Sequence, residues 1–298
     1  MTASSGVRPV IFGEVLFDSF PDGSNVLGGA PFNVAWNLQR LGAEPLFVGA
    51  VGTDELGERV CAAMASAGLD LRGLQIVPYA PTGRVQVTLE VGEPCYDILP
   101  NQAYDRVDPG SLAAFLTQPL PMLYHGSLAL RAEPSRSACN LLAGRADRRF
   151  VDVNLRPPWY QADSVLEMLR GADYVKLNRD ELRELTRGTN DGNRVRDLIE
   201  RAEIREAVVL TSGSEGAGIH TNAGDRFDAG APAVTDLRDP VGAGDAFASV
   251  TILGILEAWP WETTLARALD FAARVCTLQG ATTTDPSFYA AARVGWAD

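Results

Sequence analysis

Six short apolar runs, spaced so that a helix fits between successive runs, constrain the fold of this chain more than any other feature. Each run is nearly continuous in apolar residues rather than alternating, which is typical of strands buried on both faces. Amphipathic segments separate the runs, so the pattern predicts an α/β domain of three layers, α/β/α, with a mostly parallel sheet. The runs are Val10–Phe12, Leu46–Val48, Met122–Tyr124, Phe150–Val153, Tyr174–Leu177 and Ala207–Thr211.

Two segments depart from this pattern and predict a small second sheet. Within residues 76–99, apolar side chains such as Val85 and Val87 alternate with polar ones, as in strands with one apolar face. Residues 17–27, with a turn at 21–23, supply a partner strand pair. An apolar strand face outside the main sheet must cover a cleft or a second copy of the chain. We therefore expect a β-sheet lid, through which the chain could also form a homodimer.

Composition limits the partners and the compartment. The chain has 298 residues, which suits one domain over 1–298, and 26 basic against 38 acidic residues give a net charge of −12. This charge argues against binding of nucleic acid or of an anionic membrane surface. The four cysteines show no CxxC spacing, which favours free thiols over a disulfide frame or a zinc site. The first residues lack an apolar stretch, so the sequence predicts a cytoplasmic protein.

The strongest local motif is the segment 239–247, Asp-Pro-Val-Gly-Ala-Gly-Asp-Ala-Phe. Gly242 and Gly244 permit a tight turn, and the apolar residues after them read as a helix. A glycine turn that opens a helix directs several backbone N–H groups at one point, which suits an anion such as a phosphoryl group. Asp245, in the first turn, is then placed to accept a proton from a hydroxyl. On spacing alone, an ordinary helix cap explains the motif equally well.

A second glycine motif lies near the start of the chain. Gly28 and Gly29 precede a helix that Pro31 begins, and Asn33 follows in its first turn. Asn33 can give a donor and an acceptor to vicinal hydroxyls, and Asp18 adds two acceptors. From the segment alone, a local backbone role for Asn33 is the simpler interpretation. Neither motif is a GxxxxGK[ST] loop or a GxGxxG fingerprint, which disfavours a nicotinamide-dependent dehydrogenase.

Together these motifs resemble the PfkB (ribokinase-like) carbohydrate kinases. Residues 28–54 are similar to the first signature of that family and residues 239–247 to the second, in the right order and at about the right separation. Further segments fall where the family has similar residues, and several are most like those of bacterial fructokinases. These segments are 13–18, 81–83, 125–128, 152–158 and 280–281. The resemblance implies a ribokinase-like fold with a ligand cleft under the lid.

The resemblance also implies roles for individual residues. Asp245 matches the catalytic base, and the backbone of Gly242, Ala243 and Gly244 matches the anion hole. The matching sugar-binding positions are Asp18, Gly28, Gly29, Asn33 and Arg156. The matching nucleotide-binding positions are Asn178, Glu181, Thr211, Gly213 and Gly216. Glu181 would act on Mg²⁺ through water, and Asp239, with carbonyls near residues 280–281, would hold a monovalent cation such as K⁺.

The implied activity is ATP-dependent phosphorylation of a primary hydroxyl of a monosaccharide, with D-fructose converted to fructose 6-phosphate. Other acceptors stay open: 2-keto-3-deoxygluconate, ribose or a nucleoside. A sugar acid would need a cationic partner, for which Arg84, Arg106 and Arg156 are candidates. A non-catalytic, sugar-sensing protein of the same fold is the more distant alternative, and loss of Asp245 or of the motif glycines would have favoured it.

Overall fold

A computed structural model describes residues 8–90, 93–112 and 120–296 of the chain. Strands and helices alternate over most of this length. The strands are β1 (Val10–Phe12), β2 (Leu16–Ser19), β3 (Asn25–Gly28), β4 (Leu46–Val51), β5 (Leu74–Ile76), β6 (Gly83–Glu90), β7 (Glu93–Ile98), β8 (Leu123–His125), β9 (Arg149–Asp152), β10 (Tyr174–Asn178), β11 (Ala207–Thr211), β12 (Ala217–Thr221) and β13 (Arg226–Ala229). The α-helices are α1 (Ala30–Arg40), α2 (Glu55–Ala67), α3 (Glu133–Ala143), α4 (Ala162–Leu169), α5 (Arg179–Leu185), α6 (Asp191–Ala202), α7 (Ala243–Leu256), α8 (Trp261–Val275) and α9 (Pro286–Gly295).

The central sheet has nine strands in the order β13-β12-β11-β10-β9-β8-β1-β4-β5. The pairs from β11 to β5 are parallel, whereas β12 and β13 add an antiparallel edge. Core side chains of α1, α2, α7, α8 and α9 pack on one face of the sheet, and those of α3 to α6 pack on the other. The predicted three-layer α/β/α class is therefore confirmed, and all six predicted runs contribute strands to this sheet.

Helix α7 is the most enclosed helix near the cleft. Its residues from Ala246 to Ile255 are buried all around, because α8 and α1 pack against it. A helix that is apolar on every side belongs to a core, and this accounts for the long apolar run after the second glycine motif. No helix within the described ranges has both the length and the apolar character needed to cross a bilayer.

The predicted small sheet is present and has the strand order β3-β2-β6-β7. Two antiparallel hairpins, β2–β3 and β6–β7, are joined because β2 and β6 pair in parallel from Leu16 opposite Gly83. Val85 and Val87 are buried, as the alternation predicts. The predicted lid range from residue 76 begins too early, since Ile76 pairs with Val51 in the central sheet and the lid strand starts at Gly83.

Candidate active site

The two glycine motifs, more than 200 residues apart in the chain, meet at one point in the fold. Each glycine motif ends at a helix N-terminus, α1 after Gly29 and α7 after Gly242. The Nδ2 atom of Asn33, in α1, donates a hydrogen bond of 2.8 Å to Oδ2 of Asp245, in α7. The fold thus brings the proposed sugar-binding amide into direct contact with the proposed base.

Gly29 and Gly242 occupy positions that only glycine fits. Their φ angles are +107° and +81°, in the region that side chains rarely adopt. A Cβ on Gly29 would lie 2.7 Å from the carbonyl oxygen of Glu14, and one on Gly242 would lie 2.3 Å from Cβ of Ala281. The backbone of Gly29 therefore lies close to that of Glu14, and the backbone of Gly242 lies close to Ala281. Gly28 is less constrained, because its Cβ would meet Oδ2 of Asp18 at an ordinary 3.9 Å.

The first turn of α7 supplies the chemistry expected of an anion site. The first amides of a helix lack intrahelical acceptors, and the helix dipole adds positive potential there. Ala243 N–H donates a long bond, 3.3 Å, to the carbonyl of Pro240, so this amide is partly engaged within the turn. Gly244 and Asp245 follow it in the same first turn. A phosphate oxygen at this point fits the general anion preference of helix N-termini.

Asp245 is half-buried and carries a perturbed carboxyl group. Burial raises its pKa to about 6, although the hydrogen bond from Asn33 acts in the opposite direction and lowers the pKa. The nearby carboxylate of Asp152 also raises the pKa, while Lys176 and Arg156 lower it. A carboxylate with a pKa near 6 is a stronger base than an ordinary aspartate and is still ionised at neutral pH.

Two further proposed sugar-binding residues, Asp18 and Arg156, lie on the lid and in the loop after β9. Asp18 lies on the lid strand β2, where burial raises the pKa of its carboxyl and Arg156 partly offsets that effect. Arg156 is exposed in the loop after β9, and its charge also lowers the pKa of Asp245. Arg156 therefore acts on a carboxylate of the lid and on one of α7, and the three residues mark a candidate cleft. Its position, at the carboxyl ends of the parallel strands, is the usual one for ligands of such sheets.

Glu14, immediately after β1, is a candidate site residue whose role the sequence did not suggest. Its side chain is only 4% exposed, and its Oε2 atom has no hydrogen-bond partner among the described residues. Burial raises its pKa to about 7, and the charges of Arg156 and Asp245 act on it. A buried carboxyl group without a partner is costly, so a ligand hydroxyl beside it would be favourable. Asn33 likewise keeps an unpartnered Oδ1 atom.

The proposed nucleotide residues Asn178 and Glu181 form the N-terminal cap of α5. Oδ1 of Asn178 accepts the backbone N–H groups of Asp180 and Glu181, both at 2.9 Å. The carboxylate of Glu181 accepts Asn178 N–H at 2.9 Å and, across the cleft edge, Leu155 N–H at 2.8 Å. Each carboxylate oxygen of Glu181 retains a lone pair, so this side chain fits a hydrated Mg²⁺ held indirectly through water.

The proposed turn after β11 lies beside this cap. Thr211 pairs with Asn178 across the sheet, which places the two strand ends side by side. A Cβ on Gly213 would meet nothing within 4 Å, so this side of the turn is open. Gly216 has a packing explanation instead, because its Cβ would lie 2.0 Å from the carbonyl oxygen of Ala229.

The Asp239 side chain ties together the two loops near the start of α7. Its Oδ1 accepts Val241 N–H at 2.9 Å, and its Oδ2 accepts Gly280 N–H at 3.0 Å. Oxygen ligands of this kind fit a hard monovalent cation. In the described part of the chain, no cluster of three or more His, Cys, Asp or Glu side chains is arranged to hold a metal ion.

Comparisons with known proteins agree with this geometry. The sequence model of the pfkB family carbohydrate kinases matches residues 15–287. The Escherichia coli fructokinase is 30% identical over 302 residues, which covers 93% of this chain and 95% of the relative. Probable fructokinase-6, chloroplastic, of Arabidopsis thaliana is 32% identical over 272 residues, covering 83% and 68%. A Vibrio cholerae fructokinase double mutant, solved with fructose, ADP and potassium ion bound, has a TM-score of 0.80 at 26% identity and covers 97% of this chain and 99% of that one.

Proposed function

The chain belongs to the pfkB family of carbohydrate kinases, and from this membership we propose that it transfers the γ-phosphoryl group of ATP to a primary hydroxyl of D-fructose, giving fructose 6-phosphate. The hydrogen bond between Asn33 and Asp245 carries the proposal, because it joins a sugar-binding amide to a carboxylate at a helix N-terminus. The fructose- and ADP-bound relative from Vibrio cholerae supports the choice of sugar and nucleotide.

In the proposed reaction, Asp245 accepts the proton of the sugar's primary hydroxyl. The hydroxyl oxygen then forms its bond to the γ-phosphorus while the bond to the ADP oxygen breaks. Backbone amides of Gly242, Ala243 and Gly244 hold the charge on the transferring group. Bound Mg²⁺ would neutralise phosphate charge, with Glu181 orienting its waters and Asn178, Thr211, Gly213 and Gly216 lining the nucleotide side. Asp239 would supply carboxylate oxygens to a bound K⁺ ion.

A coupled assay of ADP release tests the substrate directly. Fructose, glucose, ribose, 2-keto-3-deoxygluconate and adenosine are supplied in turn with ATP and Mg²⁺, with and without K⁺. We expect a large preference for fructose. Activity only on another compound would keep the chemistry and reject fructose, whereas sugar binding without ADP release would identify a sensor. Of the three arginines considered for a sugar acid, Arg156 is the one whose charge acts on Asp18 and Asp245.

Asp18→Asn is expected to raise the KM for the sugar about 10- to 100-fold and to change kcat much less. A hydrogen bond to a charged group contributes about 1.5–3 kcal/mol, which corresponds to that range. Asp22→Asn is the matched control, because Asp22 lies in the same hairpin but bonds only its neighbour Ser24 and faces solvent. Steady-state kinetics of both variants check this, and an unchanged KM in the Asp18 variant would count against its role.

The pH dependence of turnover follows from the raised pKa of Asp245. The base works only when ionised, and its pKa is about 6. Turnover is therefore expected to be constant well above pH 6 and to fall about tenfold per unit as the pH drops below that value. An acid limb near pH 4, the ordinary aspartate range, would contradict a buried base. The profile of kcat/KM for fructose against pH measures this, because kcat/KM reports ionisation of the free enzyme.

We also propose that the lid forms a homodimer contact. Val26 and Tyr96, on β3 and β7, are 46% and 53% exposed, and Phe20 lies exposed in the first hairpin turn. Exposed apolar residues on a small sheet favour association with a second copy. Sedimentation velocity of the wild type and of Val26→Asp tests the contact, and a monomeric wild type would reject it.

A further inference from the structure

A buried ion pair between neighbouring strands lies directly under the proposed site. The Nζ atom of Lys176, on β10, is 2.9 Å from both carboxylate oxygens of Asp152, on β9. The two residues are register partners and are only 6% and 2% exposed. Tyr124 donates to Oδ2 of Asp152 at 3.3 Å. Buried ion pairs contribute little to stability compared with apolar residues of similar size, so stability alone is a weak reason for this pair.

The ammonium group lies beneath the first turn of α7. A Cβ on Gly244 would be 3.6 Å from Nζ of Lys176, so the amine lies next to the turn that carries Asp245. Burial lowers the pKa of Lys176, but the carboxylate of Asp152, followed by Asp245 and Glu181, outweighs burial and raises it. The amine therefore stays cationic, between the proposed base and the cap of α5.

We propose, on the basis of the proposed function, that Lys176 is a positioning residue for the base: its buried ammonium favours the ionised form of Asp245, and Asp152 anchors that ammonium under α7. Neither residue touches the reacting atoms in this arrangement. The ammonium opposes the carboxylate of Asp152, whose charge acts on Asp245 in the opposite direction.

Several groups from different elements face Asp245, and their balance supports this assignment. Lys176 and Arg156 are the cations among them, but Arg156 is exposed and therefore screened by water and salt. Lys176 is buried and keeps its full effect. The groups whose charge or hydrogen bond acts on Asp245 are Asn33 on α1, Glu14 after β1, Tyr124 on β8, Asp152 on β9, Arg156 after β9 and Lys176 on β10.

The test compares the acid limbs of profiles of kcat/KM for fructose against pH in a cycle of variants. Asp152→Asn removes a negative charge and leaves Lys176 with the carboxylates of Asp245 and Glu181, so the limb is expected to move down by about one pH unit. Adding Lys176→Met to that variant removes the cation, so the limb is expected to move back up by about one unit. The single Lys176→Met variant is avoided, because it leaves Asp152 as an unpaired buried carboxylate that would take up a proton itself.

Asp173→Asn is the matched control for loss of a buried carboxylate. Asp173 directly precedes β10, at the end of that strand away from the proposed site. Its Oδ2 atom accepts the N–H of Arg149 at 2.6 Å. Its loss is expected to lower the melting temperature without moving the acid limb. If the acid limbs of the wild type, of Asp152→Asn and of the double variant coincide, the inference is overturned. The ion pair would then have a structural role only.

If the variants fail to fold, a measurement on the wild type still tests the inference. The acid limb is expected to stay in place when choline chloride is raised at a fixed potassium chloride concentration, because a buried pair is hardly screened. A limb that climbs with salt would assign control to the exposed Arg156 and reject Lys176. A wild type that releases no sugar-dependent ADP would instead reject the proposed function, so the two failures are distinguishable.

Discussion

Asp245→Asn is expected to lower kcat for fructose phosphorylation by about 10²- to 10⁴-fold, the usual contribution of a general base. The amide cannot accept the hydroxyl proton, yet it keeps the shape of the carboxyl group and an oxygen that can accept from Nδ2 of Asn33. Fructose affinity is therefore expected to change by no more than about threefold, because the variant loses an interaction made in the transition state. Turnover kinetics and calorimetric titration with fructose measure the two effects separately.

Asp163→Asn provides the control for this variant. Asp163 is also an aspartate in the first turn of a helix, α4, but it is exposed and is not among the groups that act on Asp245. Its replacement removes the same favourable interaction with a helix dipole and is expected to leave kcat unchanged. A kcat within tenfold of the wild type in Asp245→Asn would contradict the base assignment, as would a complete loss of fructose binding.

The sequence predicts the interior of the fold better than its edges. The parallel strands are recognisable because burial on both faces makes them continuous apolar runs, as in Val208–Leu210. The antiparallel edge strands β12 and β13 carry no such signal, since Gly218, His220 and Asp228 interrupt their short apolar pattern. The predicted lid range wrongly includes Ile76, the last residue of β5, for a similar reason. Its three residues are too few to show whether they pair with β4 or with the small sheet.

The proposed site likewise contains some residues that the sequence reveals and others that it does not. Gly29, Gly242 and Asp245 are visible in the sequence because positive φ angles and helix starts leave local signatures. Lys176 and Asp152 are not, since a charged residue near a strand end ordinarily reads as solvated. Their contact depends on the register of β9 against β10, which no local pattern reveals. Glu14 is similar, because its burial follows from the close approach of Gly29 to the chain after β1.

Gly242→Ala is expected to lower the free energy of unfolding by about 2–5 kcal/mol and to abolish measurable phosphoryl transfer. A non-glycine residue in the left-handed region costs about 1–2 kcal/mol, and overpacking adds about 1–3 kcal/mol. Here the new methyl group would lie 2.3 Å from Cβ of Ala281, so the turn before α7 or the loop at 280–281 must shift. Either shift displaces the amides that hold the phosphoryl charge. Urea unfolding and the ADP-release assay measure both losses.

Gly42→Ala separates backbone strain from the clash. Gly42 follows α1 with a φ of +88°, close to the +81° of Gly242, but a Cβ there meets nothing within 4 Å. It therefore carries the conformational cost alone, about 1–2 kcal/mol, and lies outside the proposed site. We expect full activity in Gly42→Ala and a clearly larger stability loss in Gly242→Ala. Equal stability losses would mean that the contact with Ala281 relaxes freely, and retained turnover in Gly242→Ala would mean that the shape of this turn does not govern phosphoryl transfer.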